Sequence, residues 1–146
     1  MTSSSLFLSI KPVFANKILD GTKTIELRRI RPHVMPGQSV LIYSSSPEMS
    51  LVGRAIVENI LCDTPMKLWN QVKAHAGISR PEYDAYFEGA SNAIGLQLGQ
   101  TKRFKVPIPL CELRARWPWF QPPQSYRFVR AEFEGNGWRV VGLEPG

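Results

Sequence analysis

The sequence has few of the residues that build covalent or metal-based frameworks. It contains two cysteines, Cys62 and Cys111, and two histidines, His33 and His75, among 146 residues. Neither a disulfide framework nor the paired Cys and His spacing of a zinc site is present. We therefore expect a reduced, cytoplasmic protein without a metal or other cofactor. Both cysteines lie in apolar runs, which predicts core positions rather than nucleophiles.

Long hydrophobic runs and common catalytic signatures are absent as well. No apolar stretch approaches the roughly 20 residues that a transmembrane helix needs. Residues 1–10 lack the basic start and the cleavage site of a secretory signal, so we expect neither secretion nor a membrane partner. The sequence has neither a glycine-rich phosphate loop nor a Ser-His-Asp signature. It therefore gives no support for a P-loop nucleotide-binding protein or a serine hydrolase.

The charge of this otherwise ordinary globular composition is unevenly distributed. The net charge is +6, and residues 11–31 and 102–116 each carry a net +4, whereas residues 40–101 carry a net −2. If the fold brings the two basic segments together, they form one positive face that suits an anionic ligand. If it keeps them apart, they are solvated surface.

Hydrophobic periodicity predicts about seven short strands and three short helices in an α+β protein. The strands do not alternate with long helices, which favours a mixed, barrel-like sheet over a doubly wound one. The prolines between residues 107 and 123 predict irregular backbone. The last strands predict a hairpin over residues 126–143, turning at Asn136-Gly137, with a bulge near Val129 and Arg130.

One short segment, residues 23–28, places charged residues in a pattern that is typical of a binding or catalytic site. Lys23 precedes a predicted half-buried strand over residues 24–28, where Glu26 and Arg28 share the face opposite the inward apolar residues. A lysine, a carboxylate and an arginine so arranged suit an anionic ligand or acid–base catalysis. A surface ladder of ion pairs is the alternative. We expect all three side chains to reach one concave surface.

This segment resembles the opening of the ASCH (activating signal cointegrator homology) domain, of the PUA-like superfamily. The family pattern Gly-x-Lys-x-x-Glu-x-Arg is filled by Gly21, Lys23, Glu26 and Arg28. Two later segments, residues 41–45 and 122–128, also resemble the family.

The resemblance covers about residues 6–129 and implies a fold. We expect a single ASCH/PUA-like domain over residues 1–146, ending in the hairpin over 126–143. Its architecture would be a mixed β-barrel of about six to seven short strands, with two to three short helices at its openings.

The resemblance also implies a role in RNA metabolism or its regulation. Some bacterial members of the family hydrolyse N4-acetylcytidine, and others cleave RNA. Lys23 matches the catalytic lysine of the acetylcytidine amidohydrolases, whereas Glu26 stands at their threonine position. Those enzymes have a glutamate before a later helix, and the nearest titratable residue here, ahead of Ser79, is His75.

Several residues are candidates for contacts with RNA, a nucleotide or a nucleoside. The predicted binding residues are Lys11, Lys23, Arg28, Arg29, Tyr43, Ser44, Gln124 and Ser125, and Lys23 and Glu26 are the catalytic residues if the protein is an enzyme. We expect the loop at Gln124 to fold beside the same cleft and bring the two basic segments together. Trp117, Trp119 and Phe120 form either a base-stacking platform or a packed loop.

Three functions remain open from the sequence. The first is binding of RNA or a nucleotide in a basic cleft. The second is hydrolysis at the same site, by RNA cleavage or by amidohydrolysis of an acylated nucleoside such as N4-acetylcytidine. The third is a protein-interaction module without nucleotide affinity. Salt-dependent retention of an intact ligand distinguishes the first from the second, which releases product.

Overall fold

A computed structural model describes residues 2–134 and 137–143 of the chain. Its elements, in chain order, are β1 (Thr2–Ile10), α1 (Pro12–Asp20), β2 (Ile25–Arg28), β3 (Ser39–Ser44), β4 (Ser50–Asp63), α2 (Pro65–Val72), α3 (Arg80–Tyr86), β5 (Ala93–Pro109), α4 (Leu110–Arg116), β6 (Tyr126–Glu134) and β7 (Gly137–Leu143). Within the described ranges no helix has the length and apolar character to cross a bilayer.

The strands form one sheet in the order β2-β5-β4-β3-β1-β6-β7. β1 and β3 are parallel, with Leu8 opposite Ile42, and the other neighbouring pairs are antiparallel. The predicted mixed α+β fold is confirmed. The sheet is barrel-like rather than a closed barrel, since no ladder joins β2 to β7 among the described residues.

Strand β1 is buried on both faces and divides the hydrophobic core. Leu6 and Leu8 belong to one cluster, which α1 covers, and Phe7 belongs to a second cluster, which includes residues of α4. A third cluster joins α2 and α3 to β2, with Ile25 and Leu68 among its members. Alternating side chains of a strand point to opposite faces, so a continuous apolar run at the sheet centre supplies both layers.

The proline-rich region is more regular than predicted. β5 continues to Pro109, and α4 follows directly, so the structure has a fourth helix that the sequence pattern did not indicate. β2 pairs with β5 only as far as Gln97, so Pro107 and Pro109 lie where one edge of β5 has no ladder with β2. A proline is tolerated there because no ladder hydrogen bond is lost.

Two local predictions have clear outcomes. The bulge near Val129 and Arg130 is confirmed by a register shift between Arg130 and Ala131 in the β6–β7 pair. The burial of both cysteines is wrong, because Cys62 and Cys111 are exposed. They lie at the end of β4 and on α4, where only one side of each element packs on the core. The predicted turn residue Asn136 lies outside the described residues.

Candidate functional site

A cavity of about 600 Å³ opens between β2, the end of β1 and the segment before β6. Its lining residues are Ser9, Ile10, Lys11, Phe14, Lys23, Glu26, Leu27, Arg28, Tyr43, Ser45, Ser46, Met49, Ile78, Tyr86, Leu110, Arg114, Gln121, Pro122, Pro123 and Gln124. This volume lies within the range of small-molecule and cofactor sites.

The start of β2 is held in place by backbone contacts from two sides. Gly21 ends α1 with φ +90°, a left-handed conformation that glycine adopts without steric cost. The Lys23 N–H donates to the Lys17 carbonyl at 3.0 Å, and the Thr24 N–H donates to the His75 carbonyl at 2.9 Å. Lys23 is therefore fixed between α1 and the loop that follows α2.

The Lys23 side chain is buried, with 2% of its surface exposed. Its Nζ donates to the Ala76 carbonyl at 2.5 Å, lies 3.9 Å from Glu26 Oε1 and lies 5.1 Å from the centroid of the Phe14 ring. Burial lowers the pKa of Lys23 below its ordinary value, although the charge of Glu26 acts in the opposite direction. A lowered pKa increases the fraction of lysine in the neutral form, which is the form that can accept a proton.

Arg28 connects three parts of the chain. Its Nη2 lies 3.3 Å from Glu26 Oε2 and donates to the Ser9 carbonyl of β1 at 3.1 Å. Its Nη1 donates to the Ser125 carbonyl, just before β6, at 3.3 Å. The buried Nε of Arg28 and the buried Oγ of Ser9 have no hydrogen-bond partner in the described part of the chain.

The predicted alternation of β2 is present, but the strand is buried on both faces rather than half-buried. Ile25 and Leu27 pack into the cluster with α2 and α3, while Glu26 and Arg28 line the cavity. A surface ladder of ion pairs is therefore wrong, since Glu26 and Arg28 are 7% and 6% exposed.

The opposite wall combines an aromatic ring with polar groups from α4 and the loop after it. Tyr43, at the end of β3, is buried against Phe7, and burial raises the pKa of its hydroxyl. The Arg114 guanidinium donates to the Phe120 carbonyl at 3.0 Å and to Gln121 Oε1 at 3.2 Å. Arg114 thus holds the first part of this loop against α4.

The structure gathers most of the predicted site residues at this cavity. Those that line it are Lys11, Lys23, Glu26, Arg28, Tyr43 and Gln124. Arg29 points elsewhere and donates to the carbonyls of Tyr86 and Glu88. Ser44 is buried and donates to Glu48, and Ser125 contributes its carbonyl to Arg28.

Some lining residues were not singled out from the sequence. Ser9 is a polar residue inside an apolar strand, and this interruption of the apolar pattern could have indicated a site residue. Phe14 and Tyr86 are aromatic residues of short helices, for which core packing is the usual interpretation. Tyr86 donates through its hydroxyl to the Leu27 carbonyl at 3.2 Å, and burial raises its pKa.

The two basic segments meet at the cavity only in part. From the second segment Arg114 lines it, whereas Lys102, Arg103 and Lys105 do not. Arg103 donates to Asn16 of α1 instead. The segment spans both β5 and α4, so its side chains are distributed over two elements. Within the described ranges no three His, Cys, Asp or Glu side chains form a group that could hold a metal ion.

The chain is similar to known proteins along most of its length. The family model described as ASCH domain matches residues 8–102. A curated protein of Zymomonas mobilis named "ASCH domain-containing ribonuclease" is 34% identical over 125 residues, which cover 86% of this chain and 84% of that protein.

Solved structures show the same similarity. The crystal structure of ASCH from Z. mobilis has a TM-score of 0.82 at 33% identity, covering 86% of this chain and 87% of that one. Two mutants of the Z. mobilis protein, with a tyrosine replaced by phenylalanine and a serine by alanine, have TM-scores of 0.82 and 0.81 at 32% identity. These matches cover 86% of this chain and 90% and 88% of the mutant chains, respectively.

Proposed function

This chain belongs to the ASCH domain family, and from that premise we propose that it binds RNA with one nucleotide held in the cavity. The observation that carries the proposal is the state of Arg28. Its guanidinium is buried at the cavity wall and oriented by Glu26 and by two carbonyls, and its Nε has no hydrogen-bond partner among the described residues. A donor oriented in this way is ready for a ligand oxygen, and arginine is well matched to phosphate.

The charges of the cavity also suit a polyanion. Four basic side chains line it, from Lys11, Lys23, Arg28 and Arg114, against the single carboxylate of Glu26 among the described lining residues. Phosphate contacts of this kind supply most of the affinity for nucleic acid and make it dependent on salt.

Aromatic residues of the cavity suit the other half of a nucleotide. Phe14, Tyr43 and Tyr86 line it together with apolar side chains such as Ile78. RNA is read mainly through unpaired bases that stack on aromatic rings and bond polar groups at their edges. The side chains of Ser9 and Gln124, which line the cavity, supply such polar groups. The Oγ of Ser9 has no hydrogen-bond partner within the described ranges.

The test is fluorescence anisotropy with a labelled single-stranded RNA of ten nucleotides at several salt concentrations. Lys23→Ala is expected to weaken binding by about 1–2 kcal/mol, typical of a bond to a charged group, and to reduce the salt slope. Lys67→Ala, at an exposed position of α2 outside the cavity, is the matched control. Glu26→Gln removes a charge that repels phosphate and should leave binding equal or tighter.

The binding proposal has a definite contrary result. It is overturned if the wild type does not retain RNA, or if Lys23→Ala and Lys67→Ala bind alike while both are folded by circular dichroism. Absence of any nucleotide affinity, with a protein partner bound instead, would favour an interaction module.

RNA cleavage is a second candidate, favoured by the buried Lys23 with its lowered pKa and by the relative named as a ribonuclease. Neutral Lys23 would accept the proton of a 2′-hydroxyl, whose oxygen attacks the adjacent phosphorus. The bond from phosphorus to the 5′-oxygen breaks, and that oxygen takes a proton from water. The products are a 2′,3′-cyclic phosphate and a 5′-hydroxyl.

Cleavage is tested with RNA and with an oligonucleotide of the same sequence carrying one 2′-deoxy position. The deoxy position should abolish cleavage there while retaining binding. Lys23→Ala should reduce turnover about 100-fold or more, the usual share of acid–base catalysis, with a smaller effect on affinity. Cleavage at the deoxy position would exclude this mechanism. An amidohydrolase finds less support, because Glu26 is the one carboxylate among the described lining residues.

A further inference from the structure

The segment over residues 117–125, between α4 and β6, is anchored at one aromatic residue and exposes another. Phe120 is 1% exposed and packs edge-on against Phe7, with ring centroids 5.6 Å apart. Its carbonyl accepts from Arg114, and its N–H donates to the Trp117 carbonyl at 2.9 Å. Trp119, directly before this anchor, is 63% exposed.

The high exposure of Trp119 is unusual for a side chain of this size. Tryptophan is highly buried on average, because its large ring gains much from leaving water. Here the neighbouring Phe120 takes the core position, and its anchoring limits the movement of the backbone that carries Trp119. The ring is therefore presented to solvent from a defined place.

That place adjoins the cavity. Gln121 and Pro122, which follow Phe120, line the cavity, and so does Arg114, which bonds to both Phe120 and Gln121. A second arginine, Arg116, precedes Trp119 by three residues, and its guanidinium lies 5.4 Å from the centroid of the Trp117 ring. The segment that leads to the cavity wall thus carries both aromatic and cationic side chains.

We propose that Trp119 is a stacking platform for the base of the nucleotide adjacent to the one held in the cavity. This inference rests on the proposed function and extends it to a second nucleotide position. Single-stranded nucleic acid is held by exposed aromatic rings together with cationic side chains that follow its backbone. Arg114 and Arg116 supply these charges. A strand with one nucleotide in the cavity would continue past Trp119, so RNA fits this segment better than a protein partner does.

The experiment measures affinity as a function of oligonucleotide length. A labelled mononucleotide and a labelled trinucleotide, both with 2′-fluoro sugars that prevent cleavage, are titrated against wild type, Trp119→Ala and Trp119→Phe. Met66→Ala, which truncates another exposed apolar side chain on α2, is the matched control. Trp119→Ala should weaken trinucleotide binding about tenfold and leave the mononucleotide within twofold. Trp119→Phe should retain most of the affinity because it keeps a ring.

The outcomes separate this inference from the proposed function. Equal trinucleotide affinity of Trp119→Ala and Met66→Ala overturns the platform while the cavity proposal stands. Equal weakening at both lengths also overturns it, since the ring would then act on the cavity itself. If the wild type binds neither oligonucleotide, the proposed function fails and the platform with it. A change of oligomeric state in Trp119→Ala, with RNA affinity unchanged, would assign the ring to a protein contact.

Discussion

Helix α3 and strand β2 each carry an ion-paired arginine, and the two arginines are held differently. Arg80 and Asp84 lie one turn apart on α3 with their atoms 2.9 Å apart, and about half of each side chain is exposed. Arg28 and Glu26 are separated by 3.3 Å at the cavity wall and are almost fully buried. The closer pair is the exposed one.

The difference indicates what each pair does. An exposed ion pair is screened by water and contributes little, whatever its length. A buried set pays a desolvation cost that only good geometry and full hydrogen bonding offset. The buried pair on β2 is joined by a second cation, Lys23, which lies just before the strand. The Nε of Arg28 has no partner in the described part of the chain. Such an arrangement fits a binding site better than a stabilising contact.

Removing one carboxylate from each pair tests most directly whether the two pairs differ in their contribution to stability. Glu26→Ala leaves Lys23 and Arg28 buried without a counter-charge, so we expect the free energy of unfolding to fall by about 3 kcal/mol. Asp84→Ala should lower it by under about 0.5 kcal/mol. Urea denaturation at pH 7 measures both. Equal losses would mean that the cavity charges are as well solvated as those on α3.

A second change tests whether Lys23 is held by its neighbours. Gly77 has φ +60°, and a Cβ added there would lie 2.9 Å from Lys23 Cβ. Gly77→Ala is expected to lower the free energy of unfolding by about 2 kcal/mol, from the left-handed conformation and from overpacking. Gly89→Ala is the matched control, because Gly89 has φ +77° with nothing within 4 Å of an added Cβ.

The control should lose about 1 kcal/mol, the cost of the conformation alone. Only Gly77→Ala should also weaken RNA binding, since it alone displaces Lys23. Similar losses of stability in the two variants would show that the loop yields to the added methyl group.

The smallest expected effect is a pH dependence of stability. The pKa of Lys23 is lowered in the folded state, so the unfolded chain binds more protons between that pKa and the ordinary value of 10.5. Stability contributed at this position therefore rises with pH across that interval and levels off above it. The measurement compares the unfolding free energy of wild type and Lys23→Met from pH 7 to pH 11.

The stability of wild type should rise relative to Lys23→Met across the interval. Lys73→Met, at an exposed position, controls for the other groups that titrate there. A difference that stays constant with pH would mean that Lys23 has the same pKa in the folded and unfolded states.

Local patterns predicted much of this molecule. The helix after Pro12, the helices capped by Thr64 and Ser79, and the period-two strand carrying Glu26 and Arg28 all depend on residues close in sequence. Such signals act through backbone geometry over one or two turns, so a single segment contains them. Helix α4 was not predicted, because the prolines on either side of it, Pro109 and Pro118, indicated irregular backbone.

The sequence identified several residues of the candidate site, but it did not indicate how distant segments meet there. The order Lys23, Glu26, Arg28 indicated a charged site from one stretch of chain. Their burial, the contact of Arg28 with Ser9 and Ser125, and the place of Arg114 depend on segments up to about a hundred residues apart. Local sequence patterns do not indicate contacts between segments so far apart in the chain.

The sequence by itself thus determined the mixed sheet, three of the four described helices and the charged motif, since periodicity, caps and turn residues are local properties. Only the tertiary structure decided that both faces of β2 are buried, that Cys111 is exposed and that Arg29 turns away from the cavity. Burial depends on what packs against a face, and that is settled by the order of the strands across the sheet. The same packing places Phe120 in the core and exposes Trp119 beside the cavity.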